Sequence, residues 1–331
     1  AALLSPAADA VLELTARRAK HETQRNFGNS IALFTPLYIS NYCENACTYC
    51  GFRCTSKLKR AKLTFDEIHS EFKAISATGL DEILILTGES ENAANTEYIG
   101  NAVKIAVKYF NTVGIEIYPL SESQYTYINE CGADFVSVYQ ETYSPVLYEK
   151  VHPSGPKRSY TYRLGALERA LKSGIRGVAL GALLGLGNFR EDAFLTGVHA
   201  DMLLKKYPHA EISFSLPRLR PFEGNEDGNT YRWENAVTER ELLQVMLAYR
   251  LFMPFAGITV STRESAAFRD NVVGLAATKI SAGVSVGVGG HGQSQKGGEQ
   301  FEISDTRSVA EIHAMLLLRG LQPMYNNHIS L

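Results

Sequence analysis

Strand-like and helix-like segments alternate along the whole chain, and that alternation restricts it to an α/β fold built on a parallel sheet. Eight segments are short and rich in β-branched or large apolar residues: Leu33 to Ser40, Glu82 to Thr87, Ile115 to Leu120, Phe135 to Gln140, Val178 to Leu184, Glu211 to Leu216, Gly257 to Ser261, and Lys279 to Val286. Several are apolar on both faces, as strands covered from both sides are. The segments between them carry helix signals. Thr64 with Glu67, Ser121 with Gln124, Thr238 with Glu241 and Ser308 with Glu311 have the spacing of capping boxes, and Gly79 and Gly132 follow the first two helices. Tyr160 to Ser173 keeps an apolar stripe (Leu164, Leu167, Ala170, Leu171) and stops at Gly174. Eight strands, each followed by a helix or a loop in its place, predict a single (β/α)8 barrel of the TIM type over residues 31–331, with residues 1–30 as an N-terminal helical extension. The alternative is an open doubly wound sheet. That fold wants a Gly-rich dinucleotide turn after an early strand, and none is present. The Gly-rich run 283–298 lacks the Gly-Lys-Ser/Thr of a phosphate loop and reads as a C-terminal cap over the barrel mouth.

Composition removes other classes. With 45% hydrophobic and 21% charged residues the chain is not disordered. No apolar run reaches membrane-spanning length, about 18 residues. Ala1 to Glu22 lacks the basic-then-apolar order of an export signal, so a cytoplasmic location is expected. The net charge of -2 gives no bulk reason to expect nucleic acid. Five cysteines in 331 residues make no disulfide framework.

Four of those five cysteines nevertheless crowd together. Directly after the first strand the chain reads Tyr-Cys43-Glu-Asn-Ala-Cys47-Thr-Tyr-Cys50-Gly-Phe52, which places three thiols on one tight loop. Thiolates so placed can ligate three irons of a cubane. Zinc would want four ligands, usually as two separated pairs, and no second Cys or His pair has suitable spacing. Three clustered small hydrophobes are the bland reading. Cys54 leaves a further alternative open, a four-ligand electron-transfer cluster with no vacant iron.

The C-x3-C-x2-C spacing with an aromatic two residues on resembles the radical S-adenosylmethionine (SAM) superfamily. The resemblance implies a [4Fe-4S] cluster on Cys43, Cys47 and Cys50, with SAM bound at the iron that lacks a thiolate. It implies that Phe52 flanks the adenine. The second strand ends Thr87-Gly88-Glu89, similar to the superfamily's Gly-Gly-Glu, whose carboxylate meets the SAM ammonium. By the same resemblance Glu141, at the end of the fourth strand, contacts the SAM ribose, and Arg163 pairs with the SAM carboxylate, a task suited to a bidentate donor. Without the resemblance Arg163 is a solvated helix charge. The fifth strand, Gly181-Ala-Leu183-Leu-Gly185-Leu-Gly-Asn188, resembles the adenine-side motif around Leu183, with Asn where others often carry Glu.

The likeness continues through His152 to Lys157, Leu216 to Pro221 and Ser261 to Ser265, and it points to the aromatic amino-acid lyase family. Three groups share that family: tyrosine lyases of thiamine thiazole biosynthesis, tyrosine lyases of [FeFe]-hydrogenase maturation, and tryptophan lyases. Phe268-Arg-Asp, Gly287 to His291, Gln300 to Ser304 and Arg319 to Pro323 resemble the thiamine group most. No Cys follows Cys131 through Leu331, so a second thiolate-bound cluster of the maturase kind is not expected on these residues. For this group the resemblance implies L-tyrosine as substrate. Arg263, at the end of the seventh strand, would hold its carboxylate, with the Ser281 hydroxyl beside it and Arg218 or Arg220 as weaker candidates. The group that meets the phenol is not readable. His152 and His291 read as structural. A reductant such as flavodoxin or ferredoxin is implied, with the basic stretch Arg53, Lys57, Lys59, Arg60 and Lys62 as its docking patch or simply a solvated face. A thiazole synthase partner is also implied.

Overall fold

The computed structural model describes residues 1–220 and 235–325. Eight parallel strands close into a barrel: β1 (Ser30–Ser40), β2 (Glu82–Thr87), β3 (Thr112–Glu116), β4 (Phe135–Glu141), β5 (Gly177–Ala182), β6 (Glu211–Ser215), β7 (Gly257–Val260) and β8 (Lys279–Ser281). Neighbours pair in sequence order from β2 to β8, and β1 closes the ring by pairing with both β8 and β2. A ninth strand, β9 (Gln322–Met324), lies along the first three residues of β1. Sequence reading missed β9 because three residues that include Pro323 carry no strand signal.

Eleven α-helices are described: α1 (Leu12–Phe27), α2 (Phe65–Ser76), α3 (Thr96–Ala106), α4 (Glu122–Glu130), α5 (Pro145–Val151), α6 (Tyr160–Leu164), α7 (Ala166–Lys172), α8 (Phe189–Lys206), α9 (Glu239–Phe252), α10 (Ala266–Val272) and α11 (Val309–Leu318). All four expected capping boxes form, on α2, α4, α9 and α11. The stretch Tyr160 to Ser173 is two helices rather than one. Gly165 interrupts it, and its poor helix propensity explains the break. Among the described residues no helix is long and apolar enough to cross a membrane.

In barrels of this kind the interior is normally filled by layers of bulky side chains. Here several interior positions hold small or polar residues, among them Ser137, Ala179, Ser213, Ser215, Thr259 and Ser281. The barrel is therefore hollow, with a cavity of about 670 Å³. It reaches from Glu82, Glu211 and Lys279 at the strands' N-terminal ends to Ser261, Arg263 and Ser281 at their C-terminal ends. Asn26 and Phe27, the end of α1, line its lower part. Residues 1–11 form two short 3-10 turns laid over α8 and α9. Gln244 donates to the carbonyls of Leu3 and Ser5, both at 2.9 Å.

Candidate active site

The end of β1 leads into the cysteine loop, and side chains rather than regular structure hold that loop. The Asn41 carboxamide accepts from Ala61 N–H at 2.8 Å and donates to the Lys59 carbonyl at 2.9 Å. The Arg60 guanidinium donates to the carbonyls of Asn41, Phe52 and Arg53 at 2.5, 3.0 and 2.6 Å. Glu44 N–H donates to the Glu89 carbonyl at 3.0 Å, which ties the loop to the end of β2. Gly88 is required there, because a Cβ would strike the Tyr42 carbonyl. Cys43, Cys47 and Cys50 all line one cavity of about 110 Å³, whereas Cys54 is exposed and lies outside it. That separation removes the ground for a four-cysteine site. Burial pushes all three thiols up, Cys43 to about 11.

Four charged side chains meet on the opposite wall. Arg163 donates through Nε to the Tyr139 carbonyl at 2.6 Å, through one terminal nitrogen to Glu89 Oε1 at 2.9 Å and through the other to Glu141 Oε1 at 3.3 Å. Lys157 Nζ bridges the same two carboxylates, at 3.2 Å from Glu89 and 2.8 Å from Glu141. Burial would raise both carboxyls, but the two cations outweigh it and hold Glu89 at about 2 and Glu141 below the usual range. Glu141 carries a backbone φ of 71°, the left-handed region unfavourable for a residue with a Cβ. It sits at an irregularity in the β4–β5 pairing, where Leu183 N–H donates to its carbonyl at 2.8 Å. Strain of this kind concentrates at sites where a side chain must be aimed.

Phe52 and Leu183 are buried on the same cavity, and Phe52 meets the edge of Tyr38 at 5.6 Å between ring centres. Arg263 lines both cavities and faces Phe301, its guanidinium carbon 3.4 Å from the ring centre. It makes one long hydrogen bond, 3.4 Å to the Arg218 carbonyl. Among the described residues no carboxylate stands within ion-pair reach of it. Ser281 also lines the larger cavity, and its buried hydroxyl has no protein partner. Arg263 and Ser281 thus offer unspent donors to one space.

Other sequence candidates are occupied elsewhere. Arg218 is spent on Glu264 and the Val237 carbonyl, and Arg220 reaches Ser304. Pro221 lies outside the described residues. Asn188 caps α8. His152 is buried between the Tyr49 hydroxyl at 2.6 Å and the Tyr148 carbonyl at 2.7 Å, and His291 contacts the Pro36 carbonyl at 3.3 Å. Of the basic stretch, Arg60 braces the loop and Lys62 donates to the Ala93 carbonyl, so those two are not an open patch.

Comparison with known proteins agrees with this geometry. The radical SAM superfamily pattern matches residues 37–195, and the biotin and thiamin synthesis associated domain matches residues 215–322. The 2-iminoacetate synthase of Escherichia coli K12 is 37% identical over 327 residues, covering 98% of this chain and 85% of that protein. The Salmonella typhimurium enzyme of the same name is 36% identical over the same shares. This chain belongs to the radical SAM aromatic amino-acid lyase family. Its fold also superposes on the crystal structure of HydG, a maturase of the [FeFe]-hydrogenase, with a TM-score of 0.92 and 31% identity, over 98% of this chain and 71% of that one.

Radical SAM enzymes use a [4Fe-4S] cluster and SAM, and the residues present suit both. Cys43, Cys47 and Cys50 line one small cavity, and thiolates so placed can each ligate a separate iron of a cluster. Their raised proton affinity is what bound iron reverses, since a coordinated thiol is deprotonated outright. Thr87 Oγ1, on the wall of the thiol cavity, is buried without a partner. Glu89, Glu141, Lys157 and Arg163 present both signs of charge, as a ligand carrying an ammonium and a carboxylate requires.

Sequence reasoning missed several side chains of this radical SAM site. Lys157 is half of its positive charge, yet the only signal was its place in the His152 to Lys157 segment. A positive φ of 96° at Gly155, packed against Asn45, turns the chain so that Lys157 points inward. Tyr38, Glu116 and Tyr139 line the junction of the two cavities and had no motif at all.

Proposed function

We propose that this enzyme is a tyrosine lyase of the 2-iminoacetate synthase type, which cleaves the Cα–Cβ bond of L-tyrosine to p-cresol and 2-iminoacetate for thiamine thiazole formation. The observation that carries it is the half-buried Arg263 guanidinium, facing the cavity with free donors, in a chain 37% identical to 2-iminoacetate synthase over nearly its whole length. A carboxylate inside a barrel needs a paired cation, because an unpaired buried charge costs several kcal/mol. Arg263 supplies it, and Ser281 Oγ offers the same ligand a hydroxyl.

Cys43, Cys47 and Cys50 hold the [4Fe-4S] cluster. Glu89 takes the SAM ammonium, Arg163 the SAM carboxylate and Glu141 the ribose, while Phe52 and Leu183 flank the adenine. When bound, the reduced cluster and SAM supply a 5′-deoxyadenosyl radical. The chain's own contribution is placement. Arg263 and Ser281 fix the amino acid's carboxyl end near the junction of the two cavities, so its amino group lies on the SAM side and its ring extends into the larger space. Phe34, Leu84 and Leu86 give the larger cavity an apolar wall, of which Leu86 reaches the junction, and such walls disfavour water there. This reading takes residues 31–331 as the catalytic barrel and 1–30 as its covering extension. It includes a flavodoxin- or ferredoxin-like electron donor and a thiazole synthase partner.

The test is an anaerobic assay with dithionite, SAM and tyrosine, expected to give p-cresol and 5′-deoxyadenosine. Indole-derived products from tryptophan, with tyrosine inert, would overturn the substrate. The likeness to HydG favours a second reading, a hydrogenase-maturation tyrosine lyase. Both readings release p-cresol. They part on whether 2-iminoacetate accumulates or is turned into diatomic iron ligands.

A further inference from the structure

Gln300 follows the Gly-rich run 283–298, far from the cysteine loop in sequence, yet the two are joined at two points. Gly51 N–H donates to the Gln300 carbonyl at 3.3 Å. The same approach demands glycine at 51, since a Cβ there would lie 2.6 Å from that oxygen. The Gln300 side-chain amide then reaches back over the loop, with Nε2 3.6 Å from Cys50 Sγ. Its other end is fixed: the Tyr38 hydroxyl donates to Gln300 Oε1 at 2.6 Å. A thiolate only accepts, so the NH2 end must face it, and the hydroxyl of Tyr38 takes the oxygen. Tyr38 is itself locked, buried in β1 with its ring against Phe52. The next residue, Phe301, lies under the Arg263 guanidinium. The dipeptide Gln300-Phe301 therefore touches a cluster ligand with its first side chain and the substrate-side arginine with its second.

We propose that Gln300 is a positioning residue that sets the reduction potential of the cluster, by donating an oriented N–H···S hydrogen bond to the Cys50 thiolate. The proposal rests on the cluster reading above. Reduction adds one electron, and with it negative charge on the sulfurs. A donor aimed at a sulfur therefore stabilises the reduced form more than the oxidised one and raises the potential, as hydrogen bonds and burial do at iron–sulfur centres generally. Asn45 also donates to a cysteine sulfur, Cys43, but at 3.8 Å and while serving Glu89 at 3.1 Å. Gln300 has no such competing carboxylate.

The experiment is an anaerobic redox titration of the reconstituted enzyme with dithionite, without SAM or tyrosine, followed by electron paramagnetic resonance of the one-electron-reduced cluster. Iron and sulfide are counted in parallel. In Gln300→Leu the reduced-to-oxidised ratio at a fixed potential should fall by on the order of tenfold, which is about 59 mV for a one-electron couple. Gln300→Glu, which replaces the donor by a negative oxygen, should fall at least as far. Tyr38→Phe frees the amide to rotate and should shift the same way by less. A merely structural Gln300 would change cluster content or line shape and leave the midpoint in place. A wild-type midpoint retained in Gln300→Leu at full iron content overturns the proposal. If Gln300→Leu loses iron, Tyr38→Phe decides: a shifted midpoint supports the proposal and an unshifted one overturns it. A wild-type protein that binds no cluster at all would instead sink the cluster reading on which this stands.

Discussion

At the scale of single residues, the two arginines that face the site differ in how they are committed. Arg163 already spends three of its N–H donors on two carboxylates and a carbonyl and keeps the rest for a ligand, whereas Arg263 has a stacked face and nearly idle nitrogens. Arg263→Lys keeps the charge but loses the planar fork. It should leave cluster assembly and SAM binding nearly unchanged while tyrosine affinity falls. Losing a charged hydrogen bond of this kind costs about 2 kcal/mol or more, roughly thirtyfold. The ratio of 5′-deoxyadenosine to p-cresol should rise, because a poorly held substrate uncouples SAM cleavage from bond scission, and chromatography of both products reads it directly. Lys157 makes the opposite kind of prediction. Lys157→Met leaves Glu89 and Glu141 to share Arg163, and breaking a buried pair costs about 3–5 kcal/mol. Urea denaturation of the cofactor-free protein should show that loss. The cysteines and Glu89 stood out in the sequence because their chemistry depends on local spacing. Lys157, Tyr38 and Gln300 did not, because each acts through a partner between 16 and 262 residues away.

At the scale of elements, the loops that join strand ends to helices carry both the site and its weakest points. Gly88→Ala puts a Cβ into the Tyr42 carbonyl, so β2 and the cysteine loop cannot both keep their places. Iron bound per chain should drop while far-ultraviolet circular dichroism stays near wild type, since the barrel strands themselves are untouched. His152, on the segment after α5, and His199, on α8, are both held by burial at about 4 rather than the usual 6.5. The fold thus favours their neutral forms. The unfolded chain binds protons first as pH falls, so stability is complete above about 6.5 and declines toward 4. For the fully buried His152 this amounts to about 3 kcal/mol. In His152→Gln, the urea midpoint should depend less on pH between 6.5 and 4, and a slope equal to wild type would show that the imidazole is not what titrates. The same scale explains where sequence reading of the fold went astray. Capping boxes are local chemistry and all four form. Strand limits are not local. The third strand was read as Ile115 to Leu120 and is Thr112–Glu116, because Ile117 and Leu120 are apolar for burial in the loop that follows. The eighth was read to Val286 and ends at Ser281, since Gly283 turns the chain with a φ of 59°.

At the scale of the whole molecule, a hollow barrel must keep its walls together without the usual packed centre. Part of that work falls to the ion pair of Lys279 and Glu82, which joins β8 to β2 across β1 at the lower end of the cavity. Burial raises the Glu82 carboxyl despite Lys279, so the pair is finely balanced. Lys279→Met should therefore destabilise the protein by about 3–5 kcal/mol, and the further change Glu82→Gln should return much of it. Calorimetry of the two variants beside wild type checks this, and a double variant no better than the single one would place the stabilisation elsewhere. The arrangement of β1 has a consequence of another kind. Besides β2 it pairs with β8 and β9, which leave the ribosome long after it. Until those strands emerge, β1 has an open edge, and the cysteine loop at its end lacks the Gln300 segment that leans on Gly51. The nascent chain thus presents its thiols before the Gln300 segment can lean on them, so iron and sulfide delivered in that interval would meet an unfinished pocket.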